Sequence, residues 1–411
     1  MSDPTVAGQL AVTLVPGGHI TSPRGFLAGA VYAGIKTYGE GKLDLALLYS
    51  TLPCAAAAMF TTNAVKGAPL LVTQDHLRSA RPRALAVNAG VANVATGREG
   101  LADAEEMCRL AAAKLQLAPE EVLVASTGVI GKRLPMDRIR RGIVDVELSE
   151  DGGERLAHAI MTTDTRPKMV CVRFEANGRP YTLGGVAKGS GMIHPDMATM
   201  FAFLATDAPV EAAFLDRAFR AAVDDTLNMV SVDGDTSTSD MALVLANGAA
   251  GGPAFDGAGP ASDTFGAALR EALTSLARQI ARDGEGATRL LTVRVEGAAS
   301  REDARAAARA ITASPLVKAA VWGRDPNWGR VLMAAGRSGA RIDLDRAQVW
   351  LGGVCAYRGG PVPFDEVSAS EALAADEVVI RLDLGCGELA ATAWGCDLTP
   401  EYVHINGDYT T

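Results

Sequence analysis

The chain has 411 residues, too many for one simple core, so two or three domains are expected. Hydrophobic residues make up 48% and charged residues 21%, as in an ordinary soluble globular protein. A net charge of −9 without any Lys/Arg cluster argues against nucleic acid or an anionic membrane as partner.

No run is long enough to cross a bilayer, and the opening residues lack the basic-then-apolar pattern of a signal peptide. The cysteines, Cys54, Cys108, Cys171, Cys355, Cys386 and Cys396, form no CxxC pair. Most sit in apolar context and read as free thiols in a reducing cytoplasm. The five histidines show no HExxH and no zinc-type spacing, so no metal is expected.

In chain order, 25–33, 43–49 and 54–60 read as strands, and Ala84–Asn88 as another that passes into a turn-forming segment, 88–93. Leu101, Ala104, Met107, Cys108, Ala111 and Leu115 recur at helical spacing over 101–117. Val122–Gly128 reads as a buried strand running into a glycine turn. Helices are predicted over 135–148 and 153–161. A hairpin over 169–187 turns at Asn177-Gly178, the strongest short hairpin signal in the chain. Beyond the midpoint come a helix (209–228), a strand (241–246), a helix (262–282) and a strand (288–297). The remainder reads as helix (301–313), strand (316–322), helix (327–337), strands (347–357, 377–384 and 388–394) and a short last turn. A domain boundary falls near 290–300, giving domains 1–295 and 296–411.

The hairpin delivers the chain into Lys188-Gly-Ser-Gly-Met-Ile-His-Pro-Asp-Met-Ala-Thr-Met200. Glycines loosen the backbone, and the apolar run Met200–Ala205 then reads as a buried strand. Thr199 thus stands where a flexible loop enters the core, a suitable place for a nucleophile held by a rigid strand. The glycines and lysine are in the wrong order for a phosphate-binding Walker loop. Thr199 Oγ could instead strike the carbonyl of Ala198, forming an ester that water opens. The new α-amine, with a reference pKa of about 7.7–8.0, would serve as base beside its own hydroxyl. On these residues alone, a structural threonine at a strand start is the commoner reading, since most Ala-Thr pairs before strands are structural.

The stretch 188–200 closely resembles the self-cleavage signature of the ornithine acetyltransferase family of arginine biosynthesis. Further motifs of that family appear in register along the whole chain. They are Ser126-Thr-Gly-Val-Ile-Gly131, Met161-Thr-Thr-Asp-Thr165, Asp233-Gly-Asp-Thr-Ser-Thr238, Asp283-Gly-Glu-Gly-Ala-Thr288, Asp325-Pro-Asn-Trp-Gly-Arg330 and the tail Tyr402–Thr411. The resemblance implies an α/β (α+β) fold, a four-layer αββα sandwich of the self-cleaving N-terminal-nucleophile type plus a C-terminal α/β domain. It implies cleavage between Ala198 and Thr199 into an α chain (1–198) and a β chain (199–411), associated as a heterotetramer of two of each.

The implied reaction moves acetyl from N2-acetyl-L-ornithine to L-glutamate through an ester on Thr199, with no cofactor. Some members of the family also take acetyl from acetyl-CoA, and no residue here decides that. By the same resemblance, Thr127 and Gly128 supply the oxyanion donors. Thr162, Lys188, Thr199, Glu285, Asn406 and Thr411 contact substrate. Lys188 would also favour the neutral α-amine through like-charge repulsion. The segment Asp325–Arg330 reads as a structural turn opening a helix. Departures lie at Ala89, Val91, Val94 and Ala95, which put polar contacts from the segment 88–97 in doubt, and at Asp196 and Ser239, where asparagine is usual. Two rivals share these residues: a self-processed amidohydrolase or aminopeptidase that passes the acyl group to water, and a glycine-loop protein that binds a small anion.

Overall fold

A computed structural model describes residues 12–36, 41–194 and 200–408. Ala198, Thr199, Asp196 and Thr411 lie outside the described residues.

The chain opens with strands β1 (Val12–Leu14), β2 (Phe26–Val31), β3 (Leu45–Ser50) and β4 (Ala55–Phe60), then helix α1 (Ala68–Ser79). Next come β5 (Ala84–Val91), α2 (Gly97–Leu115), β6 (Val122–Val129), α3 (Met136–Asp145) and α4 (Gly153–Ala159). The predicted hairpin is present as β7 (Lys168–Ala176) and β8 (Arg179–Lys188). Its turn residues Asn177 and Gly178 both have positive φ, 53° and 68°, the conformation a tight two-residue hairpin turn requires. Then follow β9 (Phe201–Thr206), α5 (Ala212–Asp225), β10 (Val230–Ser231), β11 (Met241–Ala246), α6 (Gly259–Arg282) and β12 (Leu290–Ala298). The last part holds α7 (Arg301–Thr312), α8 (Pro315–Gly323), α9 (Trp328–Gly336), β13 (Gln348–Leu351) and β14 (Val354–Arg358). It ends with α10 (Glu366–Ala372), β15 (Glu377–Asp383), β16 (Leu389–Cys396) and α11 (Pro400–Asp408).

Two sheets form the larger part of the fold, one in the order β1-β7-β8-β9-β11-β4 and one in the order β2-β3-β5-β6. Strand alternation explains how they stack. In β11, Met241, Leu243 and Leu245 face the smaller sheet, meeting Phe26, Leu48, Val87 and Leu123. Ala242, Val244 and Ala246 face the other way, with Phe219 of α5 and Leu269, Leu273 and Leu276 of α6. The outer face of the smaller sheet packs Leu45, Leu47 and Val124 against Val72 of α1, Met107 and Ala111 of α2, and Ile139 of α3. The layers therefore run α-β-β-α, as expected. Strands β9 and β11 are buried on both faces, which is why they read as unbroken apolar runs.

A third sheet, β10-β16-β12-β15-β13-β14, forms the C-terminal part with α7 to α10. The expected division at 295/296 falls inside β12, and a division just before Leu290 keeps that strand whole.

Three expectations need correction. Residues 316–322, read as a strand, lie in helix α8. Ser314 caps it by accepting the Val317 N–H, Pro315 occupies the first turn, and Val317, Lys318, Ala320 and Val321 are the positions buried. A short apolar run does not distinguish strand from buried helix, and here the cap decides. The segment after Asn88 does not turn at once, because β5 continues to Val91 beside β6. Residues 400–408 form the nine-residue helix α11 rather than a short turn.

Candidate active site

Thr127, Gly128, Thr162, Lys188, Glu285 and Asn406 all line one cleft of about 460 Å³. They reach it from five separate segments: the end of β6, the loop after α4, the end of β8, the loop after α6, and α11.

Thr127 and Gly128 sit where β6 runs parallel to β5, with Gly128 opposite Gly90. Gly128 has φ of 127°, and a Cβ there would lie 2.4 Å from the carbonyl carbon of Gly90. Only glycine permits this approach of two backbones. It brings the Thr127-Gly128 peptide to the cleft wall.

Lys188 is the last residue of β8, opposite Phe201 of β9. Its Nζ donates to Thr162 Oγ1 at 3.2 Å and lies 5.9 Å from the centre of the Phe201 ring. Burial lowers its pKa, opposed by the carboxyls of Asp164 and Asp240.

A buried network that the sequence did not single out holds these parts in place. Asp164 accepts the N–H groups of Thr162 (3.0 Å) and Gly189 (2.7 Å), thereby tying together two segments of the cleft wall. Lys168 Nζ bridges Asp164 at 2.5 Å and Asp283 at 2.6 Å. Burial opposes ionisation of Asp164, yet Lys168, Lys188 and the Gly189 N–H outweigh it and hold the carboxyl down to about 2. Both aspartates belong to motifs recognised in the sequence, but nothing in sequence alone pairs either with Lys168. Asp233 does similar work, accepting Met192 N–H (2.5 Å) and Ile193 N–H (2.8 Å) and so pinning the glycine loop.

Glu285 follows Asp283 in the loop after α6. Its N–H donates to the carbonyl of Ser190 at 3.0 Å, and its Oε2 accepts Asn406 Nδ2 at 2.7 Å. Gly191 packs against it so closely that a Cβ would lie 2.4 Å from the carboxyl carbon and from both oxygens. Asn406 and Tyr402 of α11 line the cleft, so the C-terminal tail is part of its wall.

Met200 is buried, and its carbonyl accepts the Met241 N–H at 3.0 Å. Strand β9 lies between β8 and β11. The peptide joining Met200 to Thr199 therefore begins at the strand end flanked by Lys188 and Asp240, both of which line the cleft.

The departures have simple consequences. Ala89, Val91 and Val94 are buried, and none of residues 88–97 lines the cleft. The polar side chains left there serve the segment itself, as when Asn93 Nδ2 donates to Gly100 O and Asn88 Nδ2 to Val91 O. Ser239 lines the cleft with a buried hydroxyl that has no partner. The Asp325–Arg330 turn is structural, as expected: Asn327 caps α9 by accepting the Arg330 N–H.

The layering, with this cleft at the sheet ends, defines the class: a four-layer αββα fold like that of the N-terminal-nucleophile enzymes. The ArgJ family profile matches residues 27–411, and the chain belongs to that family. The arginine biosynthesis bifunctional protein of Symbiobacterium thermophilum is 54% identical over 96% of this chain and 99% of its own. That of Dehalococcoides mccartyi is 50% identical over 98% and 99%. Among solved structures, the ornithine acetyltransferase of Mycobacterium tuberculosis complexed with ornithine is 43% identical, with a TM-score of 0.43 over 46% of this chain and 100% of that one. The chain is an acyltransferase of arginine biosynthesis.

Proposed function

We propose that the cleft moves an acetyl group from N2-acetyl-L-ornithine to L-glutamate through an ester on Thr199, yielding L-ornithine and N-acetyl-L-glutamate. One observation carries this reading. Six residues from five distant segments converge on one cleft, at the strand end where the chain leaves Thr199.

Maturation comes first. Thr199 Oγ adds to the Ala198 carbonyl carbon, the Ala198–Thr199 C–N bond breaks, and water hydrolyses the resulting ester. The products are an α chain (1–198) and a β chain (199–411). They stay together because the large sheet interleaves them: β8 and β4 come from the first and β9 and β11 from the second. Parting them would strip the hydrogen-bond ladder from both outer edges of the β9–β11 pair and expose its apolar core. We place the assembly, two α and two β chains, in the cytoplasm.

In the transfer, Thr199 Oγ attacks the acetyl carbonyl while its proton passes to the α-amine of the same residue. The Thr127 hydroxyl and Gly128 N–H receive the oxyanion. The proton then goes to the departing ornithine amine. The glutamate amine attacks the ester by the reverse path and restores Thr199. Glu285, steadied by Asn406, suits the side-chain ammonium of ornithine, while Lys188 and Thr162 suit the carboxylate end. Thr411 supplies a further substrate contact, as the family resemblance implies.

The test supplies acetylornithine with and without glutamate, and then acetyl-CoA with glutamate. N-acetylglutamate formed from acetylornithine supports the reading, and the acetyl-CoA arm decides whether a second donor serves the same site. Acetate release that ignores glutamate would instead assign the acyl group to water.

A further inference from the structure

Among the described residues, Asp240 is the one cleft carboxyl whose environment does not suit a charge. The residue is 2% exposed, immediately precedes β11 and lines the cleft. Its carbonyl accepts the Thr61 N–H, so its backbone is fixed. On its side chain, the Met200 and Ser237 N–H groups and the Ser237 hydroxyl face the carboxyl, but Oδ2 is buried without a partner. Among the described residues no ion pair reaches it. Lys188 is the cation that faces it, and the acids Asp233, Asp235 and Glu285 line the same cleft.

A buried carboxylate with an empty lone pair and no bridging cation is costly, and a proton removes the charge. Asp164, in the same wall, is the contrast: equally enclosed, it is satisfied by Lys168 and two N–H groups and stays ionised. The two carboxyls are driven apart by their surroundings. Burial pushes Asp240 well above the ordinary carboxylate range, with Lys188 and the hydrogen bonds pulling the other way.

We propose that Asp240 is a positioning residue that works uncharged: its carboxyl, carrying a proton, holds the amide joining Met200 to Thr199 and adds no second negative charge to that of Asp164 beside Lys188. This rests on Thr199 being the nucleophile. An ionised Asp240 would favour the ammonium form of the Thr199 α-amine and so disable the base. A neutral one anchors the strand start without that penalty. Its O–H at Oδ2 is then free for water or substrate.

The experiment compares wild type, Asp240→Asn and Asp240→Ala, each checked by gel for chain cleavage. In infrared difference spectra at neutral pH, the wild type should show a protonated-carboxyl band that Asp240→Asn lacks. Asparagine keeps an uncharged acceptor for the Met200 N–H, so kcat should fall only several-fold. Alanine removes the hold, and kcat should fall about a hundredfold. The acid limb of kcat/KM should stay in place in Asp240→Asn. A carboxylate band in the wild type, an acid limb moved to lower pH in Asp240→Asn, or equal losses in both variants would overturn the proposal. So would an alanine variant as active as wild type. A wild type without acetyl transfer would instead overturn the proposed function, independently of Asp240.

Discussion

Gly191→Ala is the sharpest probe of how the cleft holds substrate. The added Cβ would lie 2.4 Å from the Glu285 carboxyl carbon and from each of its oxygens, closer than real Cβ contacts allow. Gly191 has no positive φ, so alanine suits the backbone. The clash is with the far end of a flexible side chain, and the protein should fold. The carboxyl must swing aside, breaking its 2.7 Å bond to Asn406. A lost charge-assisted contact with the substrate ammonium is worth about 1.5–3 kcal/mol. KM for acetylornithine should therefore rise roughly 10- to 150-fold, with kcat much less affected. Steady-state kinetics measure this, and N2-acetyl-L-norvaline, which lacks the side-chain amine, should show little change between the two enzymes. Unchanged KM with kcat lost would contradict this, because it would place Glu285 in the chemistry rather than in binding.

Gly128→Ala meets backbone rather than side chain: φ is 127° and the Cβ would lie 2.4 Å from the Gly90 carbonyl carbon. The oxyanion donor must move, so kcat should fall by about 10²–10³ with KM little altered; single-turnover acetylation checks this. Lys168→Met removes the cation between Asp164 and Asp283 and leaves two buried carboxylates facing each other. Stability should drop by roughly 3–5 kcal/mol in urea unfolding at neutral pH. In the native enzyme, the Asp164 pKa falls on folding from an ordinary 3.8 to about 2. Its contribution, roughly 2 kcal/mol, is therefore fully present above about pH 4 and is lost as pH falls through about 2. Unfolding midpoints measured from pH 5 downward should record that loss more steeply in the wild type than in Asp164→Asn.

Much of this was legible in the sequence, for physical reasons that differ by residue. Alternation does not mark β9 and β11, yet short apolar runs between turn signals located both, because both of their faces are buried. Asn177-Gly178 fixed the hairpin because few residues take positive φ in succession. Helix α8 reads as a strand in sequence because its run of small and branched apolar residues fits either element, and only the Ser314 cap separates them. At the site, Thr127, Gly128, Thr162, Lys188, Glu285 and Asn406 were found through motifs, and the fold gathers them. The Lys168 bridge was not found. Its three members are brought together across about 120 residues by the packing of α6 on β7, which no local pattern records. Asp240 was passed over for a related reason: an aspartate after a polar turn looks solvated until its burial is known.

The most direct test of the central claim is to mix the enzyme with N2-acetylornithine alone, quench, and map the acetyl group by mass spectrometry. One acetyl group is expected on a peptide that begins at Thr199, discharged when glutamate is added. An intact Ala198–Thr199 bond in active enzyme, or an acetyl group carried elsewhere and released equally fast to water, would contradict it.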